Sequence, residues 1–184
     1  RGTVNPIPSE FDQMLDESLA SEPLEPRSVI ALINLHGLFS IGSEKVERVV
    51  TLIRDANHRF STDLEVEKRN TLMSGLARVA STMRNPALAD ELRIMVRKAR
   101  VDKLDPPPPR LELLTALTAA AAHEDLEGWL RFVGDWAIEL ALTVDEKDQA
   151  GTLLQEFEML CVIEPALRKS IGRAIAATHS FLNI

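Results

Sequence analysis

Apolar residues in this chain recur at steps of three and four, and that period limits what the chain can fold into. From Val46 they fall at Val46, Val49, Val50 and Ile53. The spacing returns at Leu72, Met73, Leu76, Val79, Ala80 and Met83, and again at Leu126, Trp129, Leu130, Val133, Trp136, Ala137 and Leu140. Two further stripes follow: Leu153, Leu154, Phe157, Leu160 and Cys161, then Leu167, Ile171, Ile175, Thr178 and Leu182. Side chains at such steps share one face of an α-helix, which must then be covered by another element. No alternating, β-branched run bounded by turn residues occurs, so no strand is predicted. The sequence predicts an all-α protein of about nine helices, over 9–20, 27–41, 44–58, 63–83, 86–101, 110–122, 126–142, 145–162 and 165–182.

Helix start signals accompany these stripes. Thr62 with Glu65, and Thr143 with Glu146, have the spacing in which a hydroxyl caps one orphan amide and a carboxylate reaches back to another. Asn85-Pro86 and Glu164-Pro165 place proline where a first turn tolerates it, because that amide has no helical partner. Between Val29 and Phe39 the apolar residues surround most of the circumference, which predicts a central, many-sided buried helix. Phe11, Met14, Leu15 and Leu19 give the first helix a narrow apolar face, suited to capping a stack.

Residues 106–109 are four consecutive prolines, which favour a stiff, extended conformation. The simplest reading is a rigid loop between neighbouring helices of one domain spanning 1–184. The alternatives are sub-lobes 1–101 and 110–184 joined by segment 102–109, and a docking site for an aromatic-lined groove.

The second helix of each successive pair begins near Ser43, Pro86, Asp125 and Pro165, an interval close to forty residues. Antiparallel helix pairs at that interval suit stacking, since one hairpin cannot bury its apolar face alone. An irregular bundle of helices with matching lengths is the alternative. The stretch Glu164-Pro165-Ala166-Leu167-Arg168-Lys169-Ser170-Ile171-Gly172-Arg173-Ala174-Ile175 resembles the second helix of a HEAT-type repeat. Asn85-Pro86-Ala87-Leu88 repeats the turn, but Ala89 stands where that family carries Arg. The resemblance implies an α-solenoid that serves as a binding scaffold without catalysis.

Candidate chemistry is sparse. His36 lies within the most apolar helix, His58 at a predicted helix end, and His179 near the C-terminus without an acidic neighbour. His123 and Glu127 are four apart, but Glu124-Asp125 reads as a turn and N-cap that separates them. Cys161, the single cysteine, occupies an apolar stripe and reads as a small buried hydrophobe. Trp129 and Trp136 read as core anchors. No nucleophile elbow, phosphate loop or dinucleotide fingerprint occurs. The sequence therefore predicts no catalytic residue, cofactor or metal.

Charge is distributed unevenly. Residues 84–110 carry seven basic and four acidic side chains, whereas 124–158 carry ten acidic and two basic. Arg93, Arg97 and Arg100 recur at helical spacing and form the candidate partner-binding face, directed at an acidic partner. A net charge of -7 and a lack of tyrosine disfavour nucleic acid as that partner. No window approaches the ~20 unbroken apolar residues that cross a bilayer. A lone thiol suits a reducing, cytoplasmic setting, and the opening Arg1-Gly2-Thr3 suits a domain excised from a larger protein. The expected function is a non-catalytic scaffold or adaptor that binds another protein or another segment of its parent chain. A regulatory or effector helical bundle is the alternative, with an enzyme behind both.

Overall fold

A computed structural model describes residues 9–20, 66–103 and 105–183 of the chain. They are helical throughout apart from turns and connections, and no strand occurs among them. Among the described residues there are seven helices: α1 (Ser9–Ala20), α2 (Val66–Thr82), α3 (Pro86–Val101), α4 (Pro109–Ala120), α5 (Leu126–Thr143), α6 (Lys147–Ile163) and α7 (Leu167–Leu182). The helices expected over 27–41 and 44–58 lie outside the described residues, as do His36, His58 and the Thr62–Glu65 pair.

The chain divides into two compact units, residues 1–79 and 80–184. In the first, α1 carries an exposed polar side on which Gln13 Nε2 donates to Glu17 Oε1 at 3.0 Å. On α2, the predicted stripe is buried at Met73, Leu76 and Val79.

In the second unit, α5 packs against α3, α4 and α7. Helix α4 also packs on α3 and α6, and α6 on α7. Trp136, Leu140, Leu92, Leu153, Phe157, Leu167 and Ile171 are the large apolar side chains that close this core. Phe132 meets Trp136 edge to face, with ring centroids 5.7 Å apart. Trp129, expected to be a second core anchor, is half-buried.

Local chemistry accounts for the ends of these helices. Residue 84 closes α2: Arg84 takes φ 49° while its amide donates to Ser81 O and the Asn85 amide to Ala80 O, the double bond of a Schellman turn. Asn85 then caps α3 by accepting from the Leu88 amide, with Pro86 at the first helical position, as the sequence predicts. Asp125 caps α5 by accepting from the Gly128 amide. The proline run joins α3 to α4 within the second unit, and Pro109 is itself the first residue of α4.

Two capping expectations are corrected. Thr143 is the last residue of α5 and its hydroxyl donates back to Glu139 O at 2.7 Å, so it caps nothing ahead of it. Glu146 occupies the N-cap position of α6 without a side-chain cap, and its carboxylate instead accepts from Gln149 Nε2. Pro165 lies in the turn before α7, where Glu164 Oε1 accepts from the Ala166 amide at 3.2 Å.

At Gly134, α5 approaches the α7 backbone closely. A Cβ built on Gly134 would stand 2.8 Å from Ser170 O, nearer than van der Waals contact allows. At Gly151 on α6 a Cβ would meet nothing within 4 Å. Gly134→Ala is expected to destabilise the protein by about 1–3 kcal/mol through overpacking. Gly151→Ala is expected to stabilise it by about 0.5–1 kcal/mol, since alanine has the higher helix propensity. Urea denaturation of both variants checks the opposite signs.

Candidate functional site

The face predicted from Arg93, Arg97 and Arg100 lies on α3, and the structure gives the three guanidiniums different surroundings. Arg93 reaches α5, where its Nη1 donates to Glu139 Oε1 at 2.8 Å, and its Nε lies 3.6 Å from Asp90. Arg97 is exposed, and no ion pair within 4 Å holds it among the described residues. Arg100 is buried, 6% exposed, because it continues the inward stripe of Leu92 and Val96.

Arg100 meets a residue the sequence reading missed. Glu112 on α4 is fully buried, and its Oε1 lies 2.7 Å from Arg100 Nε. The two form a buried ion pair, and the Trp136 indole also donates to the Glu112 carboxylate. Arg100 Nη2 also donates to Pro107 O at 3.5 Å, a long bond that ties the buried cation to the proline run. Glu112 occupies an inward stripe of α4 with Pro109, Ala116 and Ala119, a pattern that marks it in the sequence as a carboxylate on an apolar face.

These groups border one small cleft of about 10 Å³. Arg93, Val96, Arg97 and Arg100 come from α3, Glu112 from α4, and Trp136, Glu139, Leu140 and Thr143 from α5. Burial pushes the Glu112 carboxyl up to about 7, with Arg100 and the Trp136 indole acting in the opposite direction. Burial also raises Glu139, against the pull of Arg93 and Arg97 and with the help of Asp135 and Asp90.

The remaining candidates stay apart. His123 precedes α5 in the turn, as the Glu124-Asp125 reading requires, and its ring packs on Phe132 with centroids 5.2 Å apart. Cys161 is buried on α6, and burial raises its thiol while Arg168 pulls it down. His179 is half-buried in the last turn of α7. Among the described residues no three His, Cys, Asp or Glu side chains gather in a way that could hold a metal ion, and no helix is long and apolar enough to cross a membrane. No protein-family model, curated protein or solved structure matches this chain.

The Arg100–Glu112 contact fixes how stability responds to pH and mutation. Because Glu112 binds its proton more tightly when folded, at about 7 against 4.5, the folded state holds more protons between those values. Stability is therefore expected to fall as pH rises from about 4.5 to about 7, by on the order of 3 kcal/mol in total. Glu112→Leu alone is expected to cost about 3–5 kcal/mol, because it leaves the Arg100 guanidinium buried and unpaired, whereas in Arg100→Met the Glu112 carboxyl takes up a proton and the cost is smaller. The double variant Arg100→Met/Glu112→Leu is expected to regain that loss and to flatten the pH dependence. Chemical denaturation at a series of pH values checks all three.

Proposed function

We propose that this chain is a non-catalytic scaffold or adaptor domain that binds another protein, or another segment of its own parent chain, through the outer face of α3. One observation carries the reading. Ile94, Arg97, Lys98 and Val101 are all exposed at steps of three and four, so two apolar side chains flank two cations along one stripe. Ile94 is 59% and Val101 61% exposed, an apolar pairing with central charge that suits a helical or extended partner bearing apolar and acidic residues.

A helical-repeat architecture of the HEAT type is part of the proposal. In its favour, the expected pairs α4/α5 and α6/α7 each pack, and α5 lies against both α3 and α7 while α4 lies against α6. Stacked hairpins bring like helices together in this way, first on first and second on second. The second reading, a regulatory or effector helical bundle, is favoured by a break in the repetition. Helices α3 and α4 pack together, but α5 and α6, also consecutive, are not an extensively packed pair.

The test is a variant carrying Ile94→Asp, Arg97→Glu and Val101→Asp. Each site is exposed, so each change is expected to move stability by no more than about 0.5 kcal/mol. Quantitative affinity capture is expected to lose its specific partner with this variant. Capture unchanged by all three substitutions removes the α3 face from the proposal.

A further inference from the structure

The end of the second unit at which α5 and α7 begin carries apolar side chains that its own core leaves uncovered. Leu126 opens α5 at 64% exposure, and Val162 and Ile163 close α6 at 77% and 72%. Helix α6 starts just after α5, spans 17 residues or about 25 Å, and leads to Ser170 beside Gly134 in the middle of α5. It therefore runs back toward the start of α5, and α7 runs in the same direction as α5. The turns 121–125 and 164–166 accordingly lie at one end of the unit.

Charge around these side chains is divided. Glu124, Asp125 and Glu127 are exposed around Leu126, whereas Arg168 and Lys169 are exposed at the start of α7, just past Val162 and Ile163. Glu164, between them in sequence, accepts from the Ala166 amide within its own turn. Among the described residues no ion pair within 4 Å joins the acidic group to the basic one. This end thus offers exposed apolar residues with an anionic side and a cationic side.

We infer that this end binds a second copy of the chain, in a two-fold dimer that sets Leu126 and its carboxylates on one protomer against Ile163, Arg168 and Lys169 on the other. A surface that carries both complementary halves satisfies itself when turned through 180°, and the contact is then made twice. Other occupants fit less well. An anionic lipid surface is repelled by the three carboxylates around Leu126, and a partner of a single charge sign is repelled by one of the two halves. Few apolar side chains are available, and the area falls short of the roughly 800 Å² per partner of a standard interface, so the dimer is weak and reversible, with a Kd on the order of 100 µM. It also leaves the α3 stripe free, because the C-terminus of α3 lies at the opposite end of α5, where Lys103 reaches Asp145 at 3.1 Å.

Sedimentation velocity of the 184-residue chain under reducing conditions tests this. A monomer–dimer equilibrium is expected between about 10 µM and about 1 mM, weakened by added salt. Arg168→Glu/Lys169→Glu and, separately, Glu124→Lys/Glu127→Lys are each expected to raise the Kd by at least about tenfold, since each makes both contacts like-charged. All four positions are exposed, and thermal melting checks that both variants stay folded. An equimolar mixture of the two variants is expected to dimerise as well as the unaltered chain, because both contacts are then oppositely charged again. Leu126→Ser/Ile163→Ser is expected to be monomeric, and the α3-face variant Ile94→Asp/Arg97→Glu/Val101→Asp to dimerise normally. The inference is overturned by a chain that stays monomeric to about 1 mM, by association that grows past the dimer, or by a dimer indifferent to the charge reversals. A mixture that fails to recover the dimer overturns it too, as does loss of the dimer in the α3-face variant.

Discussion

A guanidinium and a carboxylate buried against each other govern the corner of the molecule where α3, α4 and α5 meet. Arg100 is the last inward residue of α3 and Glu112 lies in the first turn of α4, so the contact spans the proline run between them. Both groups are buried, and arginine cannot discard its proton to escape the interior. The two residues must therefore stay together, and Pro107 O accepts from the same guanidinium. Prolines already restrict the connection, so the pair fixes α3 against α4 with little remaining chain entropy to oppose it.

Small residues determine how the rest gathers around α5. Gly134 lets the α7 backbone approach so closely that even a methyl group would collide with Ser170 O. Ala137 on α5 and Ala174 on α7 are buried as well, which keeps the two helices close along their length. The bulk that small residues leave out is supplied by Trp136, Phe132 and Phe157, which interlock in the spaces between helices. Consequently α5 has buried side chains around much of its circumference, while α3 keeps an outer side exposed to solvent. Division of labour within the unit follows from this: α5 supplies cohesion, and α3 supplies the surface.

The helix positions among the described residues were legible in the sequence because a period of three and four is a property of single side chains on one cylinder. Asp125 was legible as a cap for a similar reason, since cap and amide lie within one turn of each other, and Pro86 was legible as a first-turn residue. Thr143–Glu146 has the same local spacing and misleads, because the Thr143 hydroxyl finds the Glu139 carbonyl of its own helix first. The three arginines were legible as a row, but not as three different environments. What separates them is their rotation about the α3 axis relative to α4 and α5. Arg100 turns inward to Glu112 and Arg93 sideways to Glu139, and Arg97 alone stays outward. The Arg100–Glu112 contact joins two helices across a loop, and no spacing rule within one helix reports such a pairing.

The α3 stripe places geometric demands on whatever covers it. Ile94 and Val101 are seven positions apart, which is about 10 Å along a helix rising 1.5 Å per residue. Burying two such side chains contributes about 1.5–3 kcal/mol each, which the loss of translational and rotational freedom on association largely offsets. Arg97 on the exposed rim adds register and encounter rate more than affinity. A partner that offers only apolar residues therefore binds loosely, and one that offers only acidic residues finds no area to bury. Both requirements are met by a segment with two apolar residues about two helical turns apart and an acidic one between them. On the proposed docking reading, selectivity on this face would arise from the conjunction: the apolar pair would position the segment, and the carboxylate between them would meet Arg97.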